Sequence, residues 1–444
     1  MYSKNTYCVI TLHPAIRRDV FFIYFATMIK VFLSFLALNI FLCFNTQAQT
    51  EKPTYAPNTT KEARAKEYKY LINSINKNLL ADLVDSTEVN WQDAFGAMEL
   101  INYRTPFIDA RIRKAMDSVE KRSIGFQRAL LEMAYSLYPK DFVPQIILLA
   151  KQTNDAKLFA MCCEYLLINK RQREYKNLVL TRAKDSLLNP NADNPFFTVL
   201  QNRFLLKSTP KPPLSDLLSK AFLPNEMVLF SFQRSNRNFP GLVLVRGKDG
   251  AFVKAKDGKY FAVPQLARSC SNMPGYITNG NTPQGIFKIF GFAVSQSSFI
   301  GPTTNIQMVL PYENSSDVAD SVTRLLGDNY RFLLPKSWKN YYPVYEAYYA
   351  GKAGRSEIIA HGTTVNTAYY KKQLYYPFTP TQGCLCTKEI WSDVDGKRVE
   401  SDQQKLVNAV KKAGGADGYC IVIEIDDQQK PVSINEILPY LNKK

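Results

Sequence analysis

The chain has 444 residues, a formal net charge of +17 and a hydrophobic content of 46%. This length and apolar content predict roughly two or three domains with real hydrophobic cores. The excess of positive charge favours a polyanionic partner. Because no basic motif interleaved with aromatic residues appears, we expect no nucleic-acid partner and favour an anionic polymer of the cell envelope.

The N-terminus has the pattern of a secretory signal. Lys30 precedes the apolar run 31–44, and the segment 46–48 (Thr-Gln-Ala) offers small residues for cleavage. The apolar run is shorter than the about 20 residues that span a bilayer. We therefore assign residues 1–48 to a removable leader, with a mature protein that starts near Gln49. This predicts export to the periplasm or cell envelope, with no stable membrane span after cleavage.

Two alternatives stay open for the leader. The apolar run can be extended back through Phe21–Ala26, which would give an uncleaved anchor. Met28 also stands where such a signal normally begins, so residues 1–27 could be an over-long N-terminus or an unusual basic region.

The next segments predict a linker and a helical domain. Residues 49–60 are polar and contain prolines, which is typical of a flexible linker. Beyond them apolar residues recur at helical spacing, as in Trp91–Ile101. Similar runs start near residues 126 and 158, a period that is typical of helix-pair solenoids. We assign 61–215 to an all-α, solenoid-like domain, either a packing scaffold or a partner-binding surface.

The second half reads as mainly β with short helices. Residues 210–213 (Pro-Lys-Pro-Pro) mark a boundary, and we assign 226–444 to a second domain that should fold without the helical half. The overall expectation is an α+β, multidomain protein. The remaining assignments are strands at 227–232, 241–245, 306–311 and 418–425 and helices at 315–326, 388–391 and 401–412.

Residues 291–357 read as an insertion in this second domain. The segment 341–349 within it is dense in tyrosine, and tyrosines give rigid amphipathic contact area. They would either line a groove for sugar or peptide or pack the insertion.

One cysteine–histidine pair is the candidate for chemistry. The chain has two histidines, and His13 lies in the leader, so the mature protein keeps only His361. A thiol is only a few per cent thiolate at neutral pH unless a base or a cation lowers its pKa. Cys384 follows Gly383, which permits a tight turn and presents backbone N–H groups. The pattern predicts Cys384 as nucleophile and His361 as base, against the alternative that each is an ordinary packing residue.

The other cysteines do not indicate a metal. Their spacing matches no zinc pattern, the mature chain has one histidine and there is no Cys-x-x-Cys. We expect neither a metal site nor a cofactor.

Two motifs resemble the L,D-transpeptidase catalytic domain. His361-Gly362 and Thr381-x-Gly383-Cys384 match the His-Gly and Ser/Thr-x-Gly-Cys signature of that family, and residues 282–287 (Thr-Pro-Gln-Gly-Ile-Phe) resemble its Thr-Pro-x-Gly-x-Phe segment. The motifs stand in family order, and the resemblance covers about half of the chain, residues 226–428. Cys386 is a departure, because the family usually has Arg or Asn two residues after the nucleophile.

The resemblance implies a cell-envelope acyltransferase that acts on peptidoglycan stem peptides. Cys384 would form a thioester with the stem peptide, His361 would carry the proton, and backbone N–H groups around Gly383 and Cys384 would be the oxyanion donors. The substrate-binding positions implied by the motif are Gly362, Thr381, Gln382 and Cys386.

The acceptor and two rival functions stay open. An amine acceptor would give cross-links or a tethered envelope protein, and water would give an L,D-carboxypeptidase. The rivals are a catalytically inactive peptidoglycan-binding module and an unrelated cysteine peptidase.

Overall fold

The computed structural model describes residues 53–185, 188, 193–205 and 210–441. The predicted leader, residues 1–48, lies outside the described residues. Thr54–Lys444 forms one compact unit.

The first part of this unit is helical. The run predicted at 91–101 and those predicted to start near 126 and 158 are confirmed as helices. Four helices of this part are capped at their N-terminus by a polar side chain. The side-chain oxygen accepts a hydrogen bond from a backbone N–H that the first helical turn leaves unpaired. The helices are α1 Lys61–Leu80, α2 Glu88–Ile101, α3 Pro106–Met116, α4 Ile124–Leu137, α5 Val143–Gln152, α6 Ala156–Ile168, α7 Gln172–Arg182 and α8 Pro195–Leu205.

The second part contains the sheet, so mixed helix and sheet is the observed class. Its strands are β1 Met227–Arg234, β2 Gly241–Arg246, β3 Ala262–Gln265, β4 Gly285–Ala293, β5 Asn305–Val309, β6 Ala360–His361, β7 Leu385–Cys386, β8 Glu389–Trp391, β9 Arg398–Ser401 and β10 Gly418–Asp426. Its helices are α9 Leu214–Leu218, α10 Asp320–Asp328, α11 Tyr330–Leu333, α12 Glu346–Lys352, α13 Asp402–Lys412 and α14 Ile434–Leu441.

The main sheet has eight strands among the described residues, in the order β3-β2-β1-β10-β4-β5-β6-β7. β10, the last strand in sequence, lies in the middle, parallel to β1 and antiparallel to β4. At the two ends of this order, Leu266 and Cys386 exchange both backbone N–H···O bonds at 2.8 Å. The sheet is therefore nearly closed, which removes most of its exposed edges.

Two local expectations were wrong. Residues 388–391 were expected to be helical, but 389–391 form β8. There Glu389 and Trp391 are buried while Ile390 is exposed, which is the alternation of a strand. The segment 54–60, expected to be flexible, packs instead: the Ala56 N–H donates to the Gly396 carbonyl at 2.8 Å.

The helical part and the sheet share one hydrophobic core, which includes residues of both. Polar contacts cross the same boundary. The Tyr276 hydroxyl donates to the Glu164 carboxylate at 2.5 Å, and Arg203 pairs with that carboxylate at 3.0 Å. The predicted domains 61–215 and 226–444 are thus packed together within one compact unit.

The tyrosines of residues 341–349 pack the predicted insertion. Tyr345 and Tyr348 lie against Tyr330, with ring centroids 5.3 and 5.6 Å apart. The Tyr330 hydroxyl also binds the Val344 carbonyl at 2.6 Å. Of the two interpretations given to this segment, these contacts favour packing.

The shared core leads to a prediction about the fragment 216–444. We expect it to unfold at a much lower temperature than the chain 49–444, or without a cooperative transition, because it exposes Tyr276 and the core face beneath the helices. Thermal unfolding followed by near-ultraviolet circular dichroism measures this. A fragment with the transition temperature of the longer chain would show that the sheet part folds independently.

Candidate active site

The two candidate reactive residues lie on adjacent strands. β6 runs parallel to β7, with Ala360 opposite Leu385 and His361 opposite Cys386. Cys384 directly precedes β7. Both His361 and Cys384 line one cavity of about 530 Å³. The pairing of two very short strands therefore brings the predicted base and nucleophile to the same site.

His361 is held as a neutral base. Its ring is buried, and its Nδ1 contacts the Gly362 carbonyl. An Nδ1–H that donates to this carbonyl leaves Nε2 with a free lone pair. Burial lowers the pKa of His361 to about 4, so the imidazole is uncharged at neutral pH. A backbone carbonyl thus orients the ring without an acidic partner.

Gly362 has a packing role. A Cβ at this position would collide with the Glu389 carboxylate. That carboxylate accepts hydrogen bonds from the Thr363 N–H at 3.0 Å and from the hydroxyls of Thr303 and Ser401 at 2.7 and 2.5 Å. Gly362 faces this buried group and is not among the residues that line the cavity with Cys384, and its role in substrate binding stays a prediction.

The turn that carries Cys384 is closed by threonines from both motifs. Gly383 has a φ of 115°, a conformation that favours glycine. The Thr381 hydroxyl accepts from the Gly383 N–H at 2.9 Å and donates to the Cys384 carbonyl at 3.0 Å. The Thr282 hydroxyl donates to the Gly383 carbonyl at 2.8 Å. The Thr-Pro-x-Gly segment and the Gly-Cys turn are therefore in direct contact.

Cys384 is a partly exposed thiol at rest. Its Sγ donates to the Glu357 carbonyl at 3.5 Å. Burial raises the pKa of the Cys384 thiol, while the Ile359 N–H and the Arg355 guanidinium act in the opposite direction. Among the described residues, no hydrogen bond joins this thiol to His361. The resting site is thus a neutral thiol beside a neutral imidazole.

The backbone donors near the nucleophile differ in availability. Of the two predicted oxyanion donors, the Gly383 N–H already donates to the Thr381 hydroxyl. The Cys384 N–H makes no hydrogen bond with the part of the chain that is described. The Cys384 N–H is therefore the better placed donor for an oxyanion.

Cys386 is buried and is not among the residues that line the cavity. Its side chain is 1% exposed and contacts the Thr379 hydroxyl at 3.8 Å. Burial raises the pKa of its thiol to about 12. Cys386 lies in β7, at the bridge to Leu266 that closes the sheet, and its predicted role in substrate binding stays a prediction.

The helical part supplies the opposite wall of the cavity. Thr381 and Gln382 line the cavity, and their role in substrate binding stays a prediction. No motif in the sequence indicated the helical residues that line it. Burial raises the pKa of Glu132 to about 7 and that of Glu99 well above its usual value. The Tyr370 hydroxyl, which donates to the Leu100 carbonyl at 2.5 Å, ties α2 to the site. The helical lining residues are Leu71, Gln92, Asp93, Gly96, Ala97, Glu99, Leu100 and Glu132.

Comparisons of the chain with protein-family models, curated proteins and solved structures gave no match. In the described ranges, no group of three or more His, Cys, Asp or Glu side chains is arranged to hold a metal ion. No helix within those ranges is long and apolar enough to cross a membrane.

The neutral resting pair gives a prediction about Cys384 alkylation. We expect the rate with iodoacetamide to rise with pH up to and beyond pH 9, because a raised thiol pKa lowers the thiolate fraction at every lower pH. The rate should show no step between pH 5 and 7, because His361 stays uncharged there. Peptide mapping by mass spectrometry measures Cys384 specifically. A rate that is already maximal at pH 6 would instead indicate a thiolate–imidazolium pair.

Proposed function

We propose that the protein is an exported L,D-transpeptidase that acts on peptidoglycan stem peptides through a Cys384 thioester. The observation that carries the proposal is that Cys384 and His361 line one cavity, while Thr282 of the upstream motif binds the turn that carries Cys384. A nucleophile, a base and a free backbone donor in one cavity are the parts that acyl transfer requires.

In the first half-reaction, the Cys384 thiol gives its proton to Nε2 of His361. The sulfur attacks the carbonyl carbon of the third residue of the stem peptide. The C–N bond to the terminal D-amino acid breaks, and His361 returns the proton to the leaving amine. The Cys384 N–H would stabilise the oxyanion between these steps. The product is a thioester on Cys384.

The acceptor decides the second half-reaction. An amine that attacks the thioester gives its proton to His361, and the thiolate that leaves regains it. The result is a cross-link or a tethered envelope protein, whereas water in the same role gives an L,D-carboxypeptidase. Glu99 and Glu132 on the cavity wall can accept hydrogen bonds from an amine or from water, so the wall does not choose between the two acceptors.

The resting geometry favours turnover over an inactive binding module. A protein that only bound the cell wall would not need an imidazole whose Nδ1 is fixed and whose Nε2 is free. The partial exposure of Cys384, beside a fully buried Cys386, also keeps one thiol within reach of substrate.

The nucleophile can be identified with a carbapenem-type β-lactam, which by resemblance should acylate it. We expect wild type, Cys386→Ser and Cys270→Ser each to gain one adduct and Cys384→Ser to gain none. His361→Ala should react about 10²–10⁴-fold more slowly, because the base is lost. Intact-protein mass spectrometry reads all five proteins.

Cys270→Ser is the most stringent control, because Cys270 lines the same cavity but burial raises the pKa of its thiol to about 12. An adduct that survives in Cys384→Ser would place the nucleophile elsewhere. Wild type that gains no adduct would favour the binding module.

The acceptor can be read from muropeptides of a strain that lacks the protein. With an amine acceptor, we expect particular cross-links or a protein–peptidoglycan linkage to disappear and to return with wild type but not with Cys384→Ser. With water as acceptor, stem peptides would lengthen by one residue. An unchanged profile under all growth conditions would contradict the proposed substrate.

A further inference from the structure

Arg355 is a buried cation behind the nucleophile. Its side chain is 2% exposed, and it follows α12 at the end of the predicted insertion. The guanidinium donates to the backbone carbonyls of Gly280 at 2.6 Å and Asn281 at 2.7 Å, and also to that of Gly275. A buried guanidinium that binds only carbonyl oxygens keeps its full positive charge in place.

This guanidinium lies directly against the turn that carries Cys384. A Cβ at Gly383 would collide with Nη2 of Arg355 and with the Gly280 carbonyl. Glycine is therefore required at position 383 for a second reason besides its positive φ: it lets the cation approach the backbone of the turn. Arg355 reaches the site from beneath this turn and is not among the residues that line the cavity.

The charges around this pair can be named. Arg355 interacts electrostatically with Glu346, Cys384 and Glu132, and Cys384 interacts with Arg355, Glu357 and Glu313. Lys157 also interacts with Arg355, but Arg355 is the positive group of this set that acts on the thiol. Burial lowers the pKa of Arg355 to about 10, so it remains protonated at neutral pH.

The same short segment also positions the thiol. Glu357 has a φ of 60° and offers its carbonyl to the Cys384 thiol. Its N–H is held by the Glu313 carboxylate at 2.9 Å. Residues 355–357 thus place a fixed positive charge and a thiol acceptor on the same side of the nucleophile.

We propose that Arg355 is a positioning residue that stabilises the Cys384 thiolate from beneath the Gly383 turn while it holds the loop 275–281 against that turn. The inference rests on the proposed function only in taking Cys384 as the nucleophile. When the thiol gives its proton to His361, the new negative charge on sulfur forms next to a cation that needs no rearrangement. Arg355 itself neither gains nor loses a proton.

The test compares the alkylation of Cys384 by iodoacetamide between pH 6 and 9 in full-length variants. Arg355→Met removes the charge and the hydrogen bonds, whereas Arg355→Lys restores the charge only. We expect Arg355→Met to react about tenfold more slowly at pH 8, which corresponds to a rise of about one unit in the thiol pKa. Arg355→Lys should stay within about threefold of wild type.

Arg246→Met is the matched control. Arg246 is 1% exposed and its guanidinium also binds three backbone carbonyls, those of Ser219, Phe222 and Leu223. Its pKa is lowered by burial alone, with no thiol among its electrostatic neighbours. This variant should lose thermal stability as Arg355→Met does, yet alkylate at the wild-type rate.

The outcomes separate charge from packing. Wild-type alkylation in Arg355→Met would overturn the inference, and so would equal slowing in Arg355→Met and Arg355→Lys, which would assign the effect to the hydrogen bonds. If only Arg355→Lys folds, alkylation of its Cys384 at the wild-type rate supports the inference, and slower alkylation overturns it. If neither variant folds, Arg355 is required for folding, and the inference is overturned as well. Because alkylation needs no peptidoglycan, it is independent of the β-lactam and muropeptide results.

Discussion

The structure depends on the closure of the main sheet between Leu266 and Cys386. Their two mutual backbone hydrogen bonds join strands at opposite ends of the sheet order. This closure fixes β7 beside β6 and so fixes Cys384 near His361. It also explains the departure at Cys386, because the residue that closes the sheet is buried and must be small.

Short strands at the site are supported by buried polar side chains. β6 and β7 have two residues each, which is too few for a stable ladder by themselves. Glu389 and Arg355 satisfy backbone groups on either side of this pair, the first through the Thr363 N–H and the second through carbonyls of the loop 275–281. Loss of either would leave buried groups unsatisfied, at a cost of about 1–3 kcal/mol each. The rigidity of the site therefore comes from side chains as much as from strands.

Helices and motifs, which depend on residues close together in sequence, could be predicted from the sequence. Contacts between segments far apart in sequence could not. Apolar spacing gave the helix that contains Trp91, and the two motifs gave His361 and Cys384. Nothing near Arg355 in sequence indicates that its guanidinium lies under Gly383, because its partners are backbone carbonyls that any residue provides. The place of β10 in the middle of the sheet was equally hidden, since chain order does not determine strand order. Glu389 was assigned to a helix because three residues are too short for alternation to be recognised.

The two parts of the chain contribute different walls of the cavity. The thiol, the imidazole and the residues that hold them all belong to the sheet part, whereas much of the opposite wall belongs to α2. Gly96 is part of this wall. Among the described residues, a Cβ added at Gly96 would have open space around it. A larger residue at that position would narrow the cavity without touching the reacting groups. Substitutions along one helix face can therefore change the size of ligand that the cavity admits, while the thiol, the imidazole and the groups that hold them stay unchanged.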